Sequence, residues 1–379
     1  MKIVIAPDSF KESLTALEVA NAIEAGLKEV LPNMEYVKVP MADGGEGTVQ
    51  SLVDATGGTI ETVTVTGPLG NKVQASLGLL GDGITAAIEM ASSSGIHLVP
   101  IEKRDPMITT TWGTGELIAA ALDRGVKQII IGIGGSATND GGAGMIQALG
   151  GKLLDSAGKQ ISVGGVGLEK LAQIDLTTLD GRLCDVNFEV ACDVDNPLTG
   201  PMGASVIYGP QKGATKEQVA QLDKNLAHYA NVIKRDLGKD IEYIPGAGAA
   251  GGLGAGLLAF LPSVLKRGGD LVVEATKLEE QVRDADLVIT GEGGINHQTI
   301  FGKTPICVAM IAKKYDVPVI ALAGSLTNDY LNVFDHGIDA VFSIVPGIVA
   351  LDEALERGYE NVKNTSRNLG AVVKIFAKK

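Results

Sequence analysis

Five carboxylates recur at comparable points of this sequence, each at or just beyond the end of an apolar run. Asp8 follows KIVIAP, Asp43 follows YVKVPMA, Asp140 lies beyond KQIIIGI, Asp193 closes FEVAC and Glu292 follows LVITG. Short apolar runs of this kind read as buried parallel strands, and open α/β sheets bind ligands at the carboxyl ends of their strands. Acids gathered there beside glycine-rich turns suit phosphoryl transfer. A divalent cation neutralises developing charge, and one carboxylate orients the attacking hydroxyl. Any one of these acids could simply cap the helix that follows it. The recurrence at five strand ends is what favours chemistry.

The segment IIIGIGGSATNDGG, residues 129–142, outlines a dinucleotide-binding turn: a strand, then Gly132-x-Gly134-x-x-Ala137, with Asp155 further on. That would make the protein an NAD-linked oxidoreductase. Two features weigh against it. Gly246-x-Gly248-x-x-Gly251 satisfies the pattern a second time, and the first loop runs on through Thr138, Asn139 and Asp140 instead of entering a helix. Successive amides around Gly134 and Gly135, with Ser136, Thr138, Asn139 and Asp140, read better as a nest for phosphate or carboxylate oxygens. Gly248, Gly251 and Gly252 are a second glycine-rich stretch of the same type. Gly302-Lys303-Thr304 ends like a Walker loop, but His297 stands where its first glycine belongs. Lys303 remains a point charge for phosphate. Arg104 and Lys11 are candidates to clamp a substrate carboxylate. The four histidines form no pair at ligand spacing and the three cysteines no CxxC, so zinc is not expected.

The elements that must position these residues fall into two rhythms. Residues 1–58 alternate strand and helix: KIVIAP, a helix introduced by the capping box Thr15–Glu18, YVKVPM, and a helix over GEGTVQSLVDA. From residue 59, TIETVTVTG, KVQASLGLL and ITAAIEMA follow one another across turns too short for anything but antiparallel pairing. After about residue 276 the first rhythm returns with DLVITG (286–291), VPVIALAG (317–324), AVFSIV (340–345) and a long helix over the last 29 residues. The expected fold is therefore α/β: a discontinuous flavodoxin-like, doubly wound parallel sheet over 1–58 and 276–379, with an inserted α+β mixed-sheet domain over 59–275. The cleft between two such domains is the default ligand site.

Composition sets outer bounds. The 379 residues carry a net charge of -13, with 45% hydrophobic and 4% aromatic residues. No basic run suits nucleic acid, and no apolar stretch reaches the ~20 residues of a membrane span. The N-terminal apolar run is too short for a signal peptide, so a cytoplasmic protein is expected. The oligomeric state is not encoded in any feature we recognise.

Taken together, APDSFKESL, VPMADGGEGT, VTGPLG, EKRDP, GIGGSATNDGGAGM, ACDVDNP, GPQKGA, GAGAAGGLGAG, ITGEG and Gln298-Thr299…Gly302-Lys303 resemble the type 1 glycerate kinases of bacteria. These segments run from residue 6 to beyond 300. The resemblance implies ATP- and Mg²⁺-dependent phosphorylation of D-glycerate, usually at the 2-hydroxyl. On this reading Asp8 and Asp43 hold the metal, while Ser9, Lys11, Arg104 and Asn196 bind glycerate. The glycine-rich loops and Lys303 hold phosphate. One segment departs from the family pattern, which has Arg and Asp where this chain has Gly294 and Asn296. The base is therefore placed on Asp193. Phosphorylation at the 3-hydroxyl, a related hydroxy-acid substrate, an NAD-linked oxidoreductase or a non-catalytic metabolite-binding role are the alternatives.

Overall fold

The computed structural model describes residues 1–377. Its strands in chain order are β1 (Lys2–Ile5), β2 (Glu35–Lys38), β3 (Thr59–Thr66), β4 (Lys72–Leu79), β5 (Thr85–Glu89), β6 (Gln128–Gly132) and β7 (Lys152–Leu154). They continue with β8 (Gln173–Asp175), β9 (Asn187–Ala191), β10 (Ser263–Lys266), β11 (Leu287–Ile295), β12 (Val319–Leu326) and β13 (Ala340–Ser343). The chain divides into two compact units. One comprises Met1–Asp43, Gln50–Gly57 and the chain from Gly269 onward; the other comprises Gly44–Val49 and Gly58–Gly268.

The first unit carries a parallel sheet in the order β13-β12-β11-β1-β2. Counted along the chain, that is the flavodoxin-like order. Its strands are apolar on both faces because helices cover both: Ile3, Val4, Ile5, Val288, Ile289 and Val319 have no exposed surface. The helix Ala16–Lys28 starts at the capping box, with the Glu18 amide donating to Thr15 Oγ1 and the Thr15 amide to Glu18 Oε2. It buries Val19, Ala20, Ile23 and Leu27. Gly26 lets the C-terminal helix Gly358–Ala377 lie against it, since a Cβ there would stand 2.1 Å from the Lys363 carbonyl oxygen. The long terminal helix expected from sequence is broken: Leu351–Glu356 and Gly358–Ala377 are separate. Ser13 Oγ takes the Leu355 carbonyl at 2.6 Å, and Gly358 sits where a Cβ would meet Ser13 Oγ at 2.2 Å. A side-chain hydroxyl thus replaces part of the helical ladder.

The second unit is a mixed sheet ordered β10-β9-β6-β5-β4-β3, parallel from β10 to β5 and antiparallel from β5 to β3. β7 and β8 pair separately as an antiparallel ribbon. Residues 44–49 belong here, contrary to the boundary read from sequence. Glu89 accepts a hydrogen bond from the Val49 amide at 3.0 Å, and a Cβ on Gly44 would lie 2.6 Å from Gly268 Cα. Residues 269–275 join the first unit.

The second glycine-rich stretch enters the helix Ala249–Phe260 through three residues in the left-handed region, Ala250, Gly251 and Gly252. These are packing positions. A Cβ on Gly251 would stand 1.9 Å from the Thr138 carbonyl oxygen, and one on Gly248 2.1 Å from that of Pro197. One on Gly252 would meet Leu198 at 2.7 Å. Gly251→Ala must therefore both strain its backbone and push the loop at Thr138 away. We expect a loss of about 2–4 kcal/mol in urea unfolding. Gly181→Ala, with open space around it, should change stability by less than about 1 kcal/mol.

Candidate active site

At the carboxyl edge of the first unit's sheet, the chain leaves β1 and delivers Asp8, whose amide still donates to the Gly291 carbonyl of the neighbouring strand at 2.8 Å. Asp8 is 9% exposed. Its carboxylate accepts from the Ser9 amide at 2.6 Å, from Ser9 Oγ at 3.3 Å and from Thr304 Oγ1. Burial pushes its pKa up to about 7, with the charges of Asp43 and Glu292 adding to the effect and the hydrogen bonds opposing it. Glu292, the corresponding residue on β11, accepts from Thr299 Oγ1 at 2.6 Å and pairs with Lys303 Nζ at 3.4 Å. Its pKa is also raised, mainly by burial. Three acids and a lysine from separate segments therefore act on one another at one sheet edge. Nothing short of folding could have assembled them.

The second unit presents a different surface. β6 and β9 are adjacent and parallel, with Gly132 opposite Ala191. Gly134 and Asp193 each stand two residues beyond those paired ends. Gly134 and Gly135 are exposed and Ser136 is nearly buried. The loop is pinned from behind: the Ala137 amide donates to the Ser94 carbonyl, and the Gly135 carbonyl accepts from Ile96. The amides of Gly134, Gly135 and Ser136 are engaged by no acceptor among the described residues. Asp193 is exposed and accepts from the Gly268 amide at 3.0 Å.

The rest of the loop is structural. Asp140 is fully buried, and its carboxylate accepts from the Thr111 amide and hydroxyl, both at 2.9 Å, and from the Gly142 and Gly144 amides. Burial raises its pKa while these donors oppose the shift. Fully enclosed and held by these four donors, Asp140 ties the loop to the segment around Thr111. Thr138 and Asn139 are equally buried, with Asn139 Nδ2 bonded to Ser205 Oγ at 2.9 Å. Gly248, Gly251 and Gly252 likewise lie inside, as described above, so all six of these expected phosphate-binding residues are buried in this structure. Asn196 spends its amide on Met202 O and Tyr208 OH. Arg104 is half-buried with Nε enclosed and unpaired, and Lys11 is exposed.

Sequence reasoning missed Thr304, Thr111 and Lys212. Lys212 is 2% exposed, and its ammonium donates to Ser136 Oγ and to the Thr138 carbonyl, both at 2.7 Å. Only its place in GPQKGA hinted at it. The departure at Gly294 and Asn296 also looks different in three dimensions. β11 extends to Ile295, so Gly294 is a strand residue opposite Ser325, and Asn296 Oδ1 accepts from the Gln298 amide to form a turn.

The chain matches the description "Glycerate kinase family" over residues 3–374. It belongs to the glycerate kinase family. It is 61% identical to a glycerate kinase of Bacillus subtilis strain 168, covering 99% of this chain and 98% of that one. It is 59% identical to the glycerate 2-kinase of Escherichia coli K12, with the same two coverages. The crystal structure of a protein named glycerate kinase 2 from Salmonella typhimurium LT2 superposes with a TM-score of 0.92 at 56% identity, covering 100% of this chain and 99% of that one. No helix among the described residues is long and apolar enough to cross a membrane.

Asp8 gives a test with a definite sign. Its folded-state pKa lies above the ordinary carboxylate value, so the folded protein holds the proton more tightly and stability falls as pH rises from about 4 through about 7. Asp8→Asn removes the charge. In thermal melts without divalent cation, the variant should be more stable than wild type at pH 8, by about 1–3 kcal/mol. The gap should close as pH falls toward 5. Equal stability at pH 8 would argue that Asp8 is not held as an unfavourable charge.

Proposed function

We propose that the protein transfers the γ-phosphate of ATP to the 2-hydroxyl of D-glycerate. Support comes from the carboxylates that the strand ends deliver in a chain whose relatives are glycerate kinases. The observation that carries the reading is the Asp8–Asp43 pair, in which the charge of Asp43 is near enough to disfavour the ionised form of Asp8 at a sheet's carboxyl edge. Mg²⁺ ordinarily takes one or two protein carboxylates and fills its shell with phosphate and water. A two-acid set fits that habit.

In this mechanism Asp8 and Asp43 hold the ion, which when bound neutralises charge on the phosphates. Thr304 and Ser9 donate to Asp8 and so favour its ionised, ligand-ready form against the burial that opposes it. Lys303, half-exposed beside Glu292, supplies a positive point charge for a phosphate. The open Gly134–Ser136 amides receive anionic oxygens. Asp193, emerging next to that turn, accepts the proton of the glycerate hydroxyl as its oxygen attacks phosphorus and ADP leaves. Lys11, Ser9 and Arg104 are the groups available to a carboxylate. Asn196 contributes by shaping its loop.

Phosphorus NMR of an end-point reaction with ATP, Mg²⁺ and D-glycerate should give 2-phosphoglycerate and ADP. Formation of the 3-phosphate would overturn the regiochemistry, and no transfer to any hydroxy acid would overturn the activity. Asp193→Asn should lower kcat by roughly 10²–10⁴-fold with KM values little changed. Near-normal kcat would move the base elsewhere.

A further inference from the structure

The buried lysine of the second unit is unexplained by packing. Lys212 ends the short helical turn Pro210–Lys212, and Gly213 follows with φ +96°, so close to the Arg104 carbonyl that a Cβ would come within 2.2 Å of it. That contact fixes the turn and drives the side chain inward. Its ammonium meets one hydroxyl, Ser136 Oγ, and one carbonyl, Thr138 O, and it forms no ion pair among the described residues. Asp140 is the acid whose charge it feels, and that carboxylate is already committed to Thr111, Gly142 and Gly144. A cation enclosed without a counter-charge is costly, and an apolar side chain would fill the volume better.

We propose that Lys212 is a positioning residue for the anion-binding turn, holding Ser136 and charging the loop so that Gly134–Ser136 binds an anionic oxyacid group. This rests on reading that turn as an anion site. The ammonium donates to Ser136 Oγ, which leaves the hydroxyl hydrogen free to point outward. Its bond to the Thr138 carbonyl sets the path of the backbone on the other side. The bound anion then supplies the counter-charge that the fold leaves out. Burial, which draws the lysine's pKa down to about 7, is the strain such an anion relieves. The shared chemistry is a phosphate or carboxylate oxygen, from nucleotide or from glycerate.

The test uses the full-length protein and measures ATP and D-glycerate binding separately by calorimetry, alongside steady-state kinetics. Lys212→Met keeps the volume and removes the charge. It should weaken one of the two ligands by about 10- to 100-fold, through the loss of charge-assisted hydrogen bonding, and leave the other within about 2-fold. The ligand affected identifies the anion. A uniform drop in activity with both affinities unchanged would overturn the proposal and leave Lys212 as a structural prop. Gly134→Val separates the underlying reading, because a Cβ there has no protein atom within 4 Å while a branched side chain would obstruct a ligand on the turn. If Gly134→Val weakens binding and Lys212→Met does not, the turn is a site and the lysine's role fails. If neither does, the turn itself is not a site, and both readings fail. Should Lys212→Met not fold, the Lys212 methylene signal in ¹³C-lysine-labelled protein, assigned by its loss in Lys212→Arg, should shift when the bound ligand is added. No shift with either ligand would count against the proposal.

Discussion

A charge withdrawn from water must be hydrogen-bonded, neutralised or left for a ligand to satisfy, and this chain encloses charges near the carboxyl edges of both its parallel strand sets. Each is handled differently. Asp140 accepts from four protein donors and so serves as an internal tie. Asp8 keeps three donors yet is still driven toward the neutral form by burial and by Asp43. Lys212 has two acceptors and forms no ion pair among the described residues. Those left short of compensation are the ones with a claim on substrate or metal.

The glycines serve the same division. Gly26, Gly251 and Gly248 are places where two backbones come together too closely for any side chain. They let helices and loops approach until the buried amides and carbonyls find one another. Gly134 has open space around it, and its neighbours' amides meet no acceptor among the described residues. Both kinds occur in nearly identical motifs. A glycine that admits backbone and a glycine that admits ligand cannot be told apart by spacing alone.

The expected architecture was legible because its signals are local. Apolar runs bounded by Asp or Gly gave the strands, Thr15–Glu18 gave a helix start, and tight turns at residues 59–89 forced antiparallel pairing. Where reading failed, a distant group intervened. Ser13 interrupts the terminal helix by taking the Leu355 carbonyl. Glu89 draws residues 44–49 into the second unit by accepting from Val49. β11 runs past LVITG to Ile295 because β12 is there to pair with it.

Sequence by itself determined which acids follow the apolar runs, because the order of residues along the chain fixes that without reference to anything else. It also carried the family resemblance, through long motifs spread over the chain. Burial was decided only by the tertiary structure. The same SATND segment holds a nearly buried Ser136 beside exposed glycines and a wholly enclosed Asp140 four residues later, and the lysine beneath them comes from more than seventy residues away. Solvation depends on what packs above and below a residue. Since solvation sets whether a carboxylate is a cap, a ligand or a reluctant charge, the roles within the site were decided by the fold.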